Sequence, residues 1–395
     1  MRKVTVGDFQ TTPKMRELVG QVLDTGRISY GPMCREFEQR FAGLHDCRFG
    51  VLSNSGTSSL QVALQALKEL HGWKDGDEVI VPSVTFVATP NIVLHNQMIP
   101  VLVDVEPDYY GIDPNVIEDA ITPDTRAIIP VHLFGQPCDI TSIMEIAKQH
   151  QLSVVEDSCE AMFVRQNNRP VGSFGDVGCF SMYVAHLLTA GVGGIAITEN
   201  EALAVKMRSL VNHGRDGIYI SIDDDEGLES NALKEVVSRR FNFESIGHSY
   251  RITELEAALA LAQLDDPEGM LIHRRTNAAF LTLGLLHLEN PGRKLRLPGT
   301  LPNTEHAYMM YPIVVNGDKW PLCNWLEENG VQTREMLRLT DQPVYMEMGL
   351  WNPDDYPVAA EINRGGFYVG VHPGLDVDDM DYVASLICEW FSKSQ

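Results

Sequence analysis

Apolar and polar positions change period several times along the chain. From about residue 49, short apolar runs alternate with stretches whose apolar residues recur at helical spacing: VLSNSG, TSSLQVALQALKEL, DEVIVPS, TPNIVLHN, IPVLVDV, RAIIPVHLFG, ITSIMEIAKQH and LSVVEDS. Apolar runs without a polar position at every second residue predict strands buried on both faces, which is the pattern of a mostly parallel sheet wrapped by helices. GCFSMYV and GGIAITEN add two strands, making a seven-stranded sheet, and ALAVKMRSLVNHG reads as the next helix. The expected class is α/β.

The pattern changes again after Pro267. HRRTNAAFLTLGLLHL predicts an amphipathic helix, HAYMMYPIVVN and GGFYVGVHP predict strands, and PLCNWLEENG and DVDDMDYVASLICEWF predict further helices. A large α/β domain over residues 1–266 and a smaller α+β domain over 267–395 are therefore expected, which suits a length of 395 residues. Residues 217–249, with the acidic run DDDEGLES and then KEVVSRRFNFESIGHSYR, read as a long surface excursion, either a lid or a subunit contact.

The formal charge of −23 repels phosphate backbones and anionic lipid, so neither nucleic acid nor a membrane surface is an expected partner. The opening MRKVTVGDFQTTPKM lacks the apolar centre of a signal peptide, and no apolar run reaches the roughly 20 residues a membrane helix needs, so a cytoplasmic protein is expected. Seven scattered cysteines form no CxxC pair and no ligand-like spacing with histidine. No disulfide, metal or iron–sulfur site is expected from them.

Three segments could carry chemistry. In SNSGTSSLQVALQAL a strand ends in a small-residue turn at Ser55, Gly56 and Thr57, and the helix beginning there offers free backbone N–H groups to a phosphate; a serine-capped helix start reads the same way. In VVEDSCEAM an apolar strand delivers Glu156, Asp157 and Glu160 to its carboxyl end, where open α/β sheets bind ligands, and a carboxylate there can pair with a protonated ring nitrogen; an aspartate capping a helix is the alternative. In GDVGCFSMYVAHLLTAGVGGIAITEN, Ser181 and His186 fall in a strand-to-loop crossing closed by glycines, although a histidine beside leucines is often a core residue.

Taken together these segments are similar to those of the DegT-like sugar aminotransferases, vitamin B6 enzymes of the aspartate aminotransferase fold (fold type I). The likeness runs through SNSGTSSL, VPSVTFVATPN, VDVEPDYYGID, VHLFGQPCDI, VVEDSCEA, GSFGDVGCFSMY, GVGGIAITEN, NHGRDG, YRITELEAALALAQL and VGVHPGL. It implies pyridoxal or pyridoxamine 5′-phosphate, with the phosphate on the Gly56 and Thr57 amides and the Ser181 hydroxyl, Phe86 stacked on the ring, Asp157 at the ring nitrogen and Glu160 beside it. Ser249, in GHSYR, stands where the family carries an asparagine in a GYNYR-like motif that reaches the neighbouring subunit's phosphate, so a homodimer with shared active sites is implied. His213, Arg215 and Arg251 are further candidates for substrate contact, and Arg334 for an anion.

One position departs from that pattern. Where family members read like SFYPTKNLTAGEGG, this chain has SMYVAHLLTAGVGG, so His186 takes the place of the lysine that bonds the cofactor covalently. Imidazole cannot form that bond, and Lys206, the next lysine, sits in an expected helix. The cofactor would be held by non-covalent contacts alone, with His186 as acid and base. A branch of the family with the same substitution is the 3-dehydratases of nucleotide-linked 4-keto-6-deoxy sugars; EDSCE here resembles EDNCE of GDP-4-keto-6-deoxymannose 3-dehydratase. The resemblance thus implies dehydration of a keto sugar, with glutamate as amino donor. Two alternatives remain: an atypical aminotransferase for a sugar of a cell-surface polysaccharide such as lipopolysaccharide, and an inactive cofactor- or sugar-binding protein.

Overall fold

A computed structural model describes residues 2–217, 227–289 and 294–393. The chain begins with two helices that the periodicity reading does not contain, Pro13–Thr25 and Pro32–Leu44. Their signals are local: Thr12 Oγ1 accepts the Met15 N–H at 3.2 Å, Pro occupies the first turn of each, and Gly26 closes the first helix with φ 67°. The second has no side-chain cap of its own. Glu254, buried and distant in sequence, accepts the Met33 and Cys34 N–H groups at 3.0 and 2.9 Å, placing a carboxylate on the positive end of the helix.

The seven predicted strands form one sheet: β1 (Phe49–Ser53), β2 (Glu78–Pro82), β3 (Ile99–Val103), β4 (Thr125–Ile128), β5 (Ser153–Asp157), and, after the short pair β6 (Arg165–Gln166) and β7 (Arg169–Pro170), β8 (Val177–Ser181) and β9 (Gly194–Thr198). Their order is β1-β9-β8-β5-β4-β2-β3. Pairings from β3 through β2, β4 and β5 to β8 are parallel, while β9 runs antiparallel to both β8 and β1. Alternation along the strands sends side chains to two cores. Val79, Val81, Ala127 and Val155 pack with Leu60, Leu64 and Leu67 of the helix Gly56–His71, whereas Ile80, Ile128 and Val154 pack with Ile140, Ile143 and Ala147 of the helix Ile140–His150. Burial on both faces is why these strands read as unbroken apolar runs.

A second sheet, ordered β10-β11-β13-β12, contains β10 (Leu295–Arg296), β11 (Tyr311–Val315), β12 (Arg334–Glu335) and β13 (Gly366–Val369). The helices Pro267–Glu289 and Val377–Lys393 pack against it through Leu281, Leu285, Val383 and Ile387. Val4 joins the same core and bridges to Val331, so this layer draws on both ends of the chain. In the surface excursion, residues 218–226 lie outside the described residues, and the later part of the excursion contains a helix, Ser230–Arg239, with only Val236 buried. Among the described residues, no helix is long and apolar enough to cross a membrane.

Burial keeps several imidazoles neutral. His45 lies among Phe41, Phe163 and Phe180, with Nδ1 bonded to the Phe41 carbonyl at 3.0 Å and Nε2 facing the Phe163 N–H at 3.3 Å, and its pKa is pulled down from 6.5 to about 4. Burial acts likewise on His372, to about 4. As pH falls through 6.5 the unfolded chain takes up these protons and the folded chain refuses them until about 4, so acid destabilises the fold across that window. Glu106 and Glu160, raised by burial to about 7, act in the opposite sense. For His45→Phe the denaturation midpoint is expected to fall less steeply between pH 6.5 and 4 than for the parent chain, and equal slopes would contradict a neutral, buried His45.

Candidate active site

The sheet brings the three candidate segments together at the carboxyl ends of β1, β5 and β8, the edge at which open α/β sheets bind ligands. After β1, Ser55 Oγ accepts the Ser58 N–H at 3.1 Å and starts the helix Gly56–His71. The amides of Gly56 and Thr57 open that helix, where no intrahelical acceptor exists. Gly56 is needed there for proximity: a Cβ on it would lie 2.7 Å from both Ser181 Cβ and Cys159 Sγ. The helix start, the end of β8 and the turn after β5 therefore touch at one point. Gly194 completes the seat, since a Cβ on it would come within 2.3 Å of the Ser55 carbonyl oxygen.

Gly56→Ala tests this packing. The added methyl has no room, so an overpacking loss of about 1–3 kcal/mol is expected in chemical denaturation, together with weaker phosphate binding. An unchanged midpoint would mean that the three segments are not pressed together as described.

Asp157 ends β5 and is buried. It accepts the Thr89 Oγ1–H at 2.9 Å and the Cys159 N–H at 3.3 Å, and no salt bridge reaches it among the described residues. Burial pushes its pKa up despite those two donors. A buried carboxylate with donors but no ion-pair partner in contact with it among the described residues is a fit for a protonated heterocyclic nitrogen, which would supply that partner. Glu156 faces elsewhere: its carboxylate accepts the Gly172 and Gly175 N–H groups at 2.7 Å each and contacts His132 Nε2 at 3.2 Å, fastening the loop between β7 and β8 in the interior.

Glu160 accepts the Phe134 N–H at 2.6 Å, and burial raises its pKa to about 7, with Asp157 adding to the rise. Phe134 presents that N–H from a left-handed conformation, φ 57°, and its ring meets that of Tyr368 of β13 at a tilt, 5.3 Å between ring centroids. Carboxyl, strained turn and second sheet thus meet. Phe86, in the loop after β2, is 60 % exposed.

His186 lies five residues beyond the end of β8 and is partly buried. Nδ1 stands 3.4 Å from the Ser181 carbonyl, the Tyr183 ring meets the imidazole edge-on at 5.7 Å, and Arg274 donates to the His186 backbone carbonyl at 3.3 Å. A carbonyl can only accept, so the proton belongs on Nδ1 and the lone pair on Nε2. Burial, with the Arg274 charge added, lowers the pKa to about 4.

The remaining candidates lie on the surface. Arg251 donates to Ser249 Oγ at 3.1 Å and contacts His213 Nε2 at 3.3 Å, so those three form one exposed cluster. The Asn54 N–H donates to the Tyr250 carbonyl, tying that loop to the end of β1. The Arg215 guanidinium sits over Phe241 and Phe243. Lys206 pairs with Glu69 at 2.7 Å, and Arg334 is exposed on β12. Thr89, Phe134, Tyr368 and Arg274 also border the site, and sequence reasoning did not single them out. Each acts through a distant partner, although VTFVATPN did contain Thr89.

The chain was compared with known proteins. The family model described as "DegT/DnrJ/EryC1/StrS aminotransferase family" matches residues 10–388. The chain is 32% identical to GDP-perosamine synthase of Caulobacter vibrioides over 94% of both chains. It is 33% identical to dTDP-4-dehydro-2,6-dideoxy-D-glucose 3-dehydratase of Saccharopolyspora spinosa over 93% of this chain and 82% of that one. Among solved structures, Escherichia coli GDP-4-keto-6-deoxy-D-mannose-3-dehydratase with bound hydrated PLP superimposes with a TM-score of 0.88 at 22% identity, covering 98% of this chain and 99% of that one, a likeness of fold. These relatives modify sugars by two different reactions on one scaffold, and the α/β class and fold type expected from the sequence are the ones found. Over nearly its whole length the chain belongs to the DegT/DnrJ/EryC1/StrS aminotransferase family.

Proposed function

We propose that this chain is a 3-dehydratase of nucleotide-linked 4-keto-6-deoxy sugars that holds pyridoxal or pyridoxamine phosphate without a covalent bond. The observation that carries the reading is His186, an imidazole partly buried beyond β8 at the position where the family has lysine. The amides of Gly56 and Thr57 and the Ser181 hydroxyl hold the phosphate, Phe86 covers the ring, and Asp157 pairs with its nitrogen. When bound, the cofactor supplies an amino group for the sugar carbonyl and a ring that accepts electrons.

His186 does the proton work. Its Nε2 would take the proton given up at the carbon that bears the cofactor's amino group and pass it to the C3 hydroxyl, whose C–O bond breaks to release water, while glutamate, becoming 2-oxoglutarate and ammonia, would supply the two electrons that the net loss of oxygen needs. The lowered pKa keeps the imidazole neutral at neutral pH, the form that can accept a proton. Glu160, with a pKa of about 7, keeps an O–H donor available beside Asp157 at neutral pH. Glutamate is the amino donor in this reading, and a second copy of the chain brings its Ser249 to the site, in accord with the exposure of that residue.

Incubation with 4-keto-6-deoxy nucleotide sugars and nitrogen-15 glutamate, then mass spectrometry, tests the reading. A product lighter by one oxygen and free of label is expected. A labelled product in which nitrogen replaces the carbonyl oxygen and the C3 hydroxyl is kept would contradict it and support the second reading, an aminotransferase, which the 32% identity to GDP-perosamine synthase favours.

A further inference from the structure

Behind the His186 loop lies a charge that the chemistry above does not use. Arg274, in the helix Pro267–Glu289, is 3% exposed. Its Nη1 donates to the carbonyl oxygens of Tyr308 at 3.3 Å and Met309 at 2.8 Å, and its Nη2 donates to the carbonyl of His186 at 3.3 Å. Its Nε–H is buried with no acceptor, and no carboxylate pairs with the guanidinium, among the described residues. An apolar side chain of similar volume would fill the same space without the desolvation penalty of an unpaired cation, so packing does not account for an arginine here.

We propose that Arg274 is a positioning residue for proton transfer, tying the backbone of His186 to the long helix and to residues 308 and 309 so that Nε2 keeps a fixed aim. This rests on the reading of His186 as the proton carrier. Three segments far apart in sequence converge on one planar donor, which suits arginine because its N–H groups point in set directions. The charge has a second effect. Burial brings the guanidinium down only to about 9, so it stays protonated at neutral pH and disfavours a second positive charge on His186. The Tyr183 ring and the Ser181 carbonyl also face His186. Arg274 also acts on His372, which in turn faces Asp8, Asp379 and the Thr5 carbonyl.

Two variants of the cofactor-loaded protein, Arg274→Met and Arg274→Lys, test the proposal through kcat and KM for dehydration. Carbethoxylation of His186 by diethyl pyrocarbonate across pH, read by peptide mass spectrometry, gives a readout independent of turnover. For Arg274→Met, kcat is expected to fall about tenfold with KM and cofactor affinity within about twofold, because an interaction felt only during proton transfer is lost. The carbethoxylation midpoint should move up, towards that of free imidazole, because the Arg274 charge no longer opposes protonation. Arg274→Lys, which keeps the charge and donates through one nitrogen, should recover at least half of both losses. The proposal is overturned if kcat falls only in proportion to the folded fraction while the midpoint stays fixed, or if kcat does not change. Turnover surviving in His186→Ala would sink the role of His186 instead, whereas an unmoved midpoint in Arg274→Met sinks that of Arg274.

Discussion

His186→Ala is expected to lower kcat for dehydration by about 10²–10⁴-fold, the usual range for removal of a positioned acid–base group. Cofactor affinity should hardly change, because the imidazole contributes neither to the phosphate seat nor to the Asp157 pair. That separation is the informative part. In a family member with lysine at this position the same substitution would remove the covalent anchor as well as the base, and binding and catalysis would fall together. Here only catalysis should fall, read as kcat in a product assay beside cofactor affinity from equilibrium dialysis. A variant that turns over at the parent rate would end the role of His186 in both enzymatic readings.

The second large effect is expected at Asp157. Asp157→Asn removes the carboxylate that would face the ring nitrogen while keeping its shape and its contact with Thr89. Breaking a buried charge pair by removing one partner is worth about 3 kcal/mol, so cofactor Kd should rise roughly a hundredfold. Stability should move the other way. The folded chain raises the pKa of Asp157, so above its ordinary range the ionised carboxylate costs folding free energy that the amide does not. The cofactor-free variant is therefore expected to be as stable as the parent or more so, a trade of stability for function at the site. Loss of stability together with unchanged Kd would show that Asp157 serves the fold.

The strands of the large sheet were legible because their physics is local. Val79, Ile80 and Val81 must all be apolar when the strand is buried on both faces, and the same holds around Val154 and Val155. The strand order was not legible, since nothing in β9 announces that it runs between β1 and β8. The two helices before Phe49 escaped because their apolar positions are sparse and the second is capped from Glu254, 220 residues away. The helix Ser230–Arg239 was hidden for a similar reason, burying only Val236.

At the site, Asp157 and Ser181 could be read as strand ends, and Gly56 as a helix start. Their neighbours could not. Thr89 reaches Asp157 across 68 residues and Arg274 reaches His186 across 88, and such pairings are set by the fold alone. The turn at Phe134 hides in the same way, because a left-handed phenylalanine leaves no mark in the sequence.

The central claim is that the coenzyme stays free of every side-chain amine, and reductive trapping tests it most directly. The protein is loaded with pyridoxal phosphate, treated with sodium borohydride, dialysed and mapped by peptide mass spectrometry. Unmodified peptides are predicted throughout, including that of Lys206, with the reduced coenzyme recovered in the dialysate. A phosphopyridoxyl group fixed stoichiometrically to any lysine would contradict the claim.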